Sequence, residues 1–281
     1  MTTHTTPGHQ DVITDEIPRL DSGGQSPTIS DHTRRYWKYE YDVAAEYMIP
    51  LLEQWGFTPD GKTMIDVGCG EGGGVCAMHD AGLHCVGFDV EVHRVEMAKL
   101  LVDRRPIQWA IGDLYTENLP FSGKDYDLVV LHDVFEHLRH KEEVLEKLKR
   151  YMKPDGRLMI TFPPYYSAYG AHQQLLNTPW VKIPFFHLIP FAISWLLPRL
   201  KGESPMFVEE ILKLHELKMG MRKFERFAAA SALNIVGKQA YFISPNHIRF
   251  GLKPIPAGPI ADIPILGEFI CTGVVYLLAK E

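Results

Sequence analysis

A short apolar run that ends in a carboxylate and then breaks into glycines constrains this chain more than any other stretch. Residues 64–73 read Met-Ile-Asp-Val-Gly-Cys-Gly-Glu-Gly-Gly, and the apolar start of a helix follows at residues 75–78. Glycines let the backbone turn sharply and let a ligand approach without Cβ atoms in the way. The stretch therefore predicts a strand, a glycine turn and a helix, with which an α/β fold binds a nucleotide.

This glycine turn has two functional interpretations. Gly68, Gly70 and Gly73 match the dinucleotide fingerprint, in which a pyrophosphate lies at the N-terminus of the helix. Asp66, at the end of the strand, would repel a pyrophosphate and suits a cationic ligand such as the ammonium of an amino acid. A glycine turn that binds no ligand is the structural alternative.

The order Asp-x-Gly-x-Gly-x-Gly resembles the first motif of class I S-adenosylmethionine-dependent methyltransferases. Its members in this chain are Asp66, Gly68, Gly70 and Gly72. The resemblance extends over residues 31–162 and 221–281. It implies that these residues bind S-adenosylmethionine, with Asp66 or backbone carbonyls near His132 holding the methionine ammonium.

An acidic residue follows the second predicted strand, residues 84–88. Asp89 comes after Gly70 at close to the ~20 residues expected for a carboxylate that accepts both hydroxyl protons of a ribose. The S-adenosylmethionine and NAD interpretations both predict this residue, and an N-cap for the next helix is compatible with either. The resemblance adds its neighbour Val90 to the cofactor-binding residues.

A Gly-Asp pair follows the third predicted strand, residues 107–111. Gly112, Asp113 and Leu114 resemble the adenine-binding position of the family. There, a carboxylate accepts a hydrogen bond from the exocyclic amine and the next backbone amide meets the ring. A turn aspartate is the alternative. Because an NAD-binding fold predicts no such residue, the pair favours the methyltransferase interpretation.

A run that begins polar and becomes continuously apolar, residues 125–132, predicts a central parallel strand buried on both faces. The following residues, 133–138, resemble the Glu-His-Leu segment of a methyltransferase subgroup that includes quinone-biosynthesis and natural-product enzymes. This implies that His132 borders the methionine end of the cofactor. Glu136 and His137 would orient the following loop, and His137 is also a candidate catalytic base.

Residues 31–55 carry aromatic and apolar residues at helical spacing, which predicts an amphipathic helix before the core. In similar methyltransferases such a helix closes over the cofactor, so Tyr36 and Trp37 are candidate lid residues. Residues 1–30 are rich in small polar residues and are expected to form a disordered tail. They lack the basic and apolar regions of a signal peptide.

Residues 163–220 depart from a minimal fold and are predicted to form an insertion after the fifth strand. Within it, residues 179–198 are apolar but too broken by proline to span a membrane, which takes ~20 apolar residues. They are interpreted as a lid over an apolar substrate, a membrane-surface contact or a homodimer interface. Ligands of open α/β sheets bind beyond the C-terminal strand ends, so the methyl acceptor is expected here. His172 is the first candidate for its general base, with Tyr166 orienting the acceptor.

Composition excludes some partners and cofactors. The formal net charge of −6 argues against a nucleic-acid partner. The four cysteines have no metal-ligand spacing and are interpreted as reduced, buried thiols of a cytosolic protein. Pro163 and Pro164 stand after the fifth strand in place of oxygen ligands, and Asp133 alone is too few oxygens for Mg²⁺. No metal is therefore expected.

The chain is thus expected to be an α/β, Rossmann-like three-layer sandwich. Its sheet would have seven strands, mostly parallel, with an antiparallel last strand at residues 269–279. The capping helix (31–60), the core (61–162 and 221–281) and the insertion (163–220) would form its parts. The expected activity is O-methylation of a small, bulky or apolar metabolite in the cytoplasm. Methylation at carbon or nitrogen, an NAD-dependent oxidoreductase and a non-methylating cofactor-binding protein are the alternatives.

Overall fold

A mixed sheet forms the centre of the computed structural model, which describes residues 29–189 and 191–281. Within these residues the sheet has eight strands in the order β3-β2-β1-β4-β5-β8-β6-β7. The strands are β1 (Thr63–Val67), β2 (His84–Asp89), β3 (Gln108–Ile111), β4 (Tyr126–His132), β5 (Met152–Phe162), β6 (Leu233–Ile243), β7 (Ile255–Pro256) and β8 (Gly273–Lys280). The expected disordered tail, residues 1–30, lies outside the described residues except for its last two.

The strand directions fit the expected class. Strands β1 to β5 pair in parallel, whereas β8 is antiparallel to both β5 and β6. The predicted α/β sandwich with a mostly parallel sheet is confirmed. The eighth strand is the two-residue β7, which pairs with the edge of β6 and is too short to leave a periodic signal in the sequence.

Helices cover both faces of the sheet. They are α1 (Asp31–Val43), α2 (Ile49–Gln54), α3 (Gly73–Asp80), α4 (Val92–Leu101), α5 (Lys141–Lys149), α6 (Pro205–Leu217), α7 (Met221–Ala230) and α8 (Leu266–Ile270). A π-helical turn, Ala44–Met48, joins α1 to α2. The N-cap of α1 is Ser30, whose hydroxyl accepts a hydrogen bond from the Thr33 amide at 3.0 Å.

Alternate residues of β4 supply the two halves of the core. Leu128 and Val130 pack with residues of α1 to α3, whereas Val129 and Leu131 pack with residues of α5 and α7. All four side chains are buried. A strand that is apolar on both faces is what a parallel sheet between two helical layers requires, because neither face meets water.

The insertion has a hydrophobic cluster of its own, separate from the two clusters that flank the sheet. It is formed by short 3-10 turns and α6, and includes Leu176, Val181, Ile193 and Ile211. The amide of Tyr165 donates a hydrogen bond to the Met219 carbonyl at 2.7 Å, so the two ends of the insertion adjoin. Across 29–189 and 191–281, no helix combines the length and the apolarity needed to cross a membrane.

Two segments differ from the sequence-based expectation. The last strand begins at Gly273, since residues 266–270 form α8. Residues 153–156, whose sequence Lys-Pro-Asp-Gly is typical of a turn, lie inside β5, where the pairing shifts register between Tyr126 and Leu128 of the neighbouring strand. A bulge of this kind accommodates a turn sequence without ending the strand.

Candidate active site

The glycine turn, residues 68–73, lies at the C-terminal end of β1, where the sheet order reverses between β2 and β4. Gly68 has a φ of 84° and Gly72 a φ of 82°, a left-handed conformation that disfavours side chains. A Cβ on Gly68 would lie 2.5 Å from Val134, and one on Gly72 would lie 2.4 Å from Trp109. The reversal point of an open α/β sheet is where a crevice for ligands forms.

Two buried carboxylates line this crevice. Asp89 accepts hydrogen bonds from the amides of Gly70 and Glu91, each at 2.9 Å. Asp66 is 6% exposed, and its Oδ1 has no hydrogen-bond partner among the described residues. Burial, helped by the charge of Asp89, raises the pKa of Asp66 to about 7. The crevice is therefore suited to a ligand that brings a positive charge to Asp66.

Helix α1 covers the start of α3 beside the glycine turn. Glu40 accepts a hydrogen bond from the Gly73 amide at 3.3 Å, and burial raises its pKa well above the usual range. Arg94 lies beside it: its guanidinium is 3.5 Å from the Glu71 carboxylate and 5.9 Å from the centre of the Tyr36 ring. The candidate lid residue Tyr36 thus lies at the crevice, with a glutamate and an arginine that sequence reasoning missed.

The expected adenine-binding residues lie at the neighbouring strand end. The Gly112 amide donates to the Asp89 carbonyl at 3.0 Å, which ties the two strand ends together. The Asp113 carboxylate accepts from the Tyr115 amide at 2.9 Å, the geometry of an Asx turn. Val90 is exposed and Leu114 is buried. The position suits an adenine, although the carboxylate also has a local structural partner.

His132 and Asp133 lie at the end of β4, as expected. The Asp133 carboxylate accepts hydrogen bonds from the Thr161 hydroxyl, at 2.8 Å, and from the Asn246 side-chain amide. These residues line a small cavity together with Tyr47 and other residues of the α1–α2 region. Thr161 and Asn246 were not identified from the sequence, because they come from other segments and belong to no motif.

A second cluster lies where the insertion crosses the end of β4; it consists of Glu136, His137, His172 and Glu210 and is called the histidine cluster. The rings of His137 and His172 have centroids 5.4 Å apart. Glu210 Oε1 is 3.3 Å from His172 Nδ1 and 3.9 Å from His137 Nδ1. The structure therefore brings together both candidate bases, with two glutamates that were not assigned chemistry from the sequence.

Electrostatics in the histidine cluster follow from burial. Burial, with a smaller contribution from His172, lowers the pKa of His137 to about 3, so this ring is neutral at physiological pH. Burial raises the pKa of Glu210, but opposing interactions, led by the hydrogen bond from His172 and including the charge of Arg94, outweigh it, so the pKa is lowered overall. Val134 links the cluster to the crevice, because its side chain packs against Gly68 and its carbonyl accepts a hydrogen bond from the His137 amide at 3.0 Å.

Tyr166 is half-buried and packs among aromatic side chains. Its ring packs against Tyr165, with centroids 5.3 Å apart, and against Phe269 at 6.0 Å. The Tyr165 hydroxyl is within 2.7 Å of His215 Nδ1. The expected role of Tyr166 in orienting an acceptor remains a prediction.

Comparisons with known proteins agree with this geometry. Residues 65–160 match a sequence family described as a methyltransferase domain. An uncharacterised methyltransferase of Mycobacterium bovis is 25% identical over 187 residues, which cover 65% of this chain and 83% of the relative. Phosphoethanolamine N-methyltransferase 2 of Caenorhabditis elegans is 25% identical over 152 residues, half of this chain. The match spans only 34% of that longer relative.

A solved structure shares the fold. Magnesium protoporphyrin IX methyltransferase from Synechocystis, with S-adenosylhomocysteine bound, superposes with a TM-score of 0.50 and 13% sequence identity. The likeness covers 92% of this chain and 90% of that one. At this identity the comparison shows a common fold.

Proposed function

The chain carries a class I S-adenosylmethionine-dependent methyltransferase domain, and from that premise we propose that it methylates an oxygen of a small, apolar metabolite. The observation that carries the proposal is the juxtaposition of two sites. The crevice of Asp66 and Asp89 adjoins the histidine cluster through Val134, and two residues of that cluster belong to the apolar insertion. One site suits the cofactor, and the other suits an acceptor that must lose a proton.

The crevice residues fit S-adenosylmethionine. Its ammonium would occupy the position facing Asp66 Oδ1, which has no partner within the described chain. Asp89 would exchange its bond to the Gly70 amide for the ribose hydroxyls, and residues 112–114 would hold the adenine. When bound, this cofactor supplies an electrophilic methyl group on a sulfonium. The glycine turn lets it approach because no Cβ occupies that space.

The histidine cluster would prepare the acceptor. His172 would accept the hydroxyl proton of the acceptor, and Glu210, whose Oε1 is 3.3 Å from His172 Nδ1, would stabilise the resulting imidazolium. The insertion would exclude water and hold the acceptor in line with the methyl group. An aliphatic hydroxyl needs such a base, whereas an acidic phenol needs it less.

The test is transfer of labelled methyl groups from S-adenosylmethionine to the fractions of a cell extract. We expect label in the lipid or organic-soluble fraction and a fall of ~100-fold or more in His172→Asn. The control His84→Asn, at an exposed histidine outside the cluster, should change little. Label only on protein or nucleic acid would contradict the proposed acceptor class. Unchanged transfer by His172→Asn would remove the proposed base.

Methylation at nitrogen is the second candidate reaction. It is favoured by the likeness to phosphoethanolamine N-methyltransferase 2, which covers half of this chain. Fragmentation of the labelled product by mass spectrometry would decide between the two atoms, since an N-methyl product keeps its label on an amine. A labelled amine would replace the O-methylation proposal.

An apolar surface on the insertion supports a lipid-like acceptor. Phe191 is 77% exposed, and Ile183, Ile189 and Trp195 are exposed beside it. The apolar surface continues to Phe269, whose ring centroid is 6.4 Å from that of Phe185. Further exposed apolar residues lie close to Phe269 in sequence, within residues 260–266. Basic residues of the same insertion lie next to it in sequence: Lys182, Arg199 and Lys201. We propose that this surface contacts an anionic membrane.

Vesicle flotation tests the membrane contact. The protein should float with anionic vesicles more than with zwitterionic ones, and Phe191→Ser with Trp195→Ser should reduce flotation ~10-fold, because both side chains lose apolar area that would be buried in the lipid. Salt should weaken the binding. If the protein binds neither vesicle type and forms a dimer that these substitutions dissociate, the apolar surface contacts a second copy of the chain and not a membrane. The four free, buried cysteines support a cytoplasmic location as part of this proposal.

A further inference from the structure

The histidine cluster is built from three separate segments. Glu136 and His137 lie on the 3-10 turn after β4, His172 lies on the insertion, and Glu210 lies on α6. Three possible ligand atoms, one from each side chain of Glu136, His137 and His172, lie within 4.8 Å of one another. Such convergence of imidazoles and a carboxylate is independent of the residues that hold the cofactor.

Glu136 is the member of the cluster with a buried carboxylate that lacks hydrogen-bond partners among the described residues. Its side chain is 2% exposed, and neither carboxylate oxygen accepts a hydrogen bond from another residue that the structure describes. Its Oε1 lies 3.5 Å from His137 Nε2. The nearby Lys141 ammonium donates instead to the Phe135 carbonyl and lies 4.5 Å from the centre of the Phe135 ring. Because an unpaired ionised carboxylate is costly to bury, a bound cation would stabilise the ionised form of Glu136.

Glu210 occupies the place of a group that orients ligands. Its Oε1 faces Nδ1 of both rings, at 3.3 Å for His172 and 3.9 Å for His137. Histidines that bind metals commonly donate their second ring N–H to a carboxylate, which fixes the tautomer and the ring orientation. With Nδ1 of each ring facing Glu210, the Nε2 atoms are left as ligands, and His137 Nε2 is the atom beside Glu136.

We propose that Glu136, His137 and His172 bind a divalent transition-metal ion, with Glu210 positioning the two rings. Two imidazoles and one carboxylate with open positions suit Zn²⁺, Fe²⁺, Mn²⁺ or Co²⁺ rather than Ca²⁺, which prefers oxygen ligands. Ligand atoms of a tetrahedral site with ~2.1 Å bonds are about 3.4 Å apart, so separations of up to 4.8 Å must contract by up to about 1.4 Å. Side-chain rotations supply that movement. The sequence predicted no metal because its ligands lie on distant segments without a spacing motif.

The role of the ion rests on the proposed methyl transfer, whereas its binding rests only on the cluster. An acceptor hydroxyl that binds at an open position would release its proton to bulk water as it enters the site, because the metal lowers its pKa. The oxygen then forms the O–CH₃ bond while the S–CH₃ bond breaks and its electron pair stays on sulfur. In this form of the reaction His172 holds the ion instead of accepting the proton.

Metal binding is measured on the full chain without an affinity tag, after removal of metals with a chelator. Titration with Co²⁺ should give one equivalent of bound ion and visible absorption bands of a histidine-ligated site. His172→Asn and Glu136→Gln should each weaken binding ~10-fold or more, whereas His84→Asn, in an exposed histidine outside the cluster, should bind as the unchanged protein does. No bound ion, or equal binding by all four proteins, would overturn the site.

A second variant guards against loss of folding. Glu210→Gln keeps all three ligands, so we expect one equivalent of Co²⁺ with affinity reduced ~10-fold and a thermal transition close to that of the unchanged protein. Unchanged affinity would overturn the positioning role. Methyl transfer is then measured in excess chelator with a protein shown to bind the ion. A full rate under these conditions would overturn only the role of the metal in the reaction, and the methyltransferase proposal would stand.

Discussion

At the scale of single residues, two carboxylates of one crevice differ because their surroundings differ. Both oxygens of Asp89 accept backbone amides, whereas one oxygen of Asp66 has no partner among the residues described. A carboxylate without donors in a buried site holds its proton more tightly, which agrees with a pKa of about 7 for Asp66. Binding of a cationic ligand should therefore shift Asp66 from its protonated to its ionised form.

The two carboxylates should be separable by ligand. Asp66→Asn should weaken S-adenosylhomocysteine binding about 10- to 100-fold, because a charge-assisted bond to the ammonium is lost. It should leave 5′-methylthioadenosine, which lacks the amino-acid end, within about threefold. Asp89→Asn should weaken both ligands. Titration calorimetry at pH 8 measures the four affinities, and equal losses for both ligands in Asp66→Asn would contradict the assignment.

The same carboxylate predicts a pH dependence of stability. The folded pKa of Asp66 is about 7, above the ~3.9 of an unfolded chain, so the folded state binds this proton more tightly. Its contribution to stability is present below pH ~4 and is lost as the pH rises towards 7. At pH 8 the ligand-free Asp66→Asn protein should be more stable, by at most about 4 kcal/mol. Urea unfolding at pH 5 and pH 8 checks this, and a variant that is less stable at pH 8 would contradict it.

The sequence predicts which residues meet when they lie at the ends of strands that the fold places side by side. Asp66 and Asp89 end neighbouring parallel strands, so their meeting follows from the fold. Glu40 and Glu210 lie on covering helices, and their positions depend on how those helices pack. Sequence reasoning found His137 and His172 separately and gave no reason to join them, because the insertion has no periodic pattern that places it.

At the scale of elements, the contact between α1 and the start of α3 decides how the crevice is covered. A Cβ on Gly73 would lie 2.2 Å from the Trp37 carbonyl, so α1 can approach only a glycine at this position. The next residue, Gly74, is in the same helix, and its nearest neighbour would be the Ala44 Cβ at 3.9 Å. The close packing of α1 therefore requires a glycine at position 73 but not at position 74.

A pair of alanine substitutions tests this packing. Gly73→Ala should destabilise the protein by about 1–3 kcal/mol through overpacking, and should weaken S-adenosylhomocysteine binding as α1 moves away. Gly74→Ala should be neutral or stabilising by up to about 1 kcal/mol, because alanine favours the helix. Thermal unfolding and calorimetry compare the two. Equal effects would contradict the close approach of α1.

Local sequence patterns predict several of the helices and strands. The apolar runs give β1, β2, β4 and β5, and the aromatic spacing gives the helix before them. The segment from residue 269 was expected to be strand, yet its first residues form the end of α8, because a short apolar run is compatible with a helix as well as with a strand. The turn-like residues 153–156 remained strand since tertiary pairing with β4 tolerates a bulge.

At the scale of the whole molecule, the insertion is a unit added to a complete sheet. Its cluster of buried residues is separate from the two that flank the sheet, and its ends adjoin through the Tyr165–Met219 hydrogen bond. The cofactor crevice is built from β1, β2, β3 and α1, which lie outside it. Cofactor binding and acceptor recognition should therefore be divided between the sheet and the insertion.

Excision of the insertion tests this division. In a chain where Gly-Ser-Gly replaces residues 166–218, we expect S-adenosylhomocysteine affinity within about tenfold of the full chain, since the 2.7 Å bond between Tyr165 and Met219 lets a short turn close the gap. Methyl transfer should fall below detection, because His172 and the acceptor-covering surface are gone, and vesicle binding should be lost with it. Calorimetry, the labelled-methyl assay and flotation measure the three, with His172→Asn as the control that loses transfer but keeps vesicle binding. Transfer that survives excision would place the acceptor site elsewhere, and a folded chain unable to bind the cofactor would show that the insertion also completes the crevice.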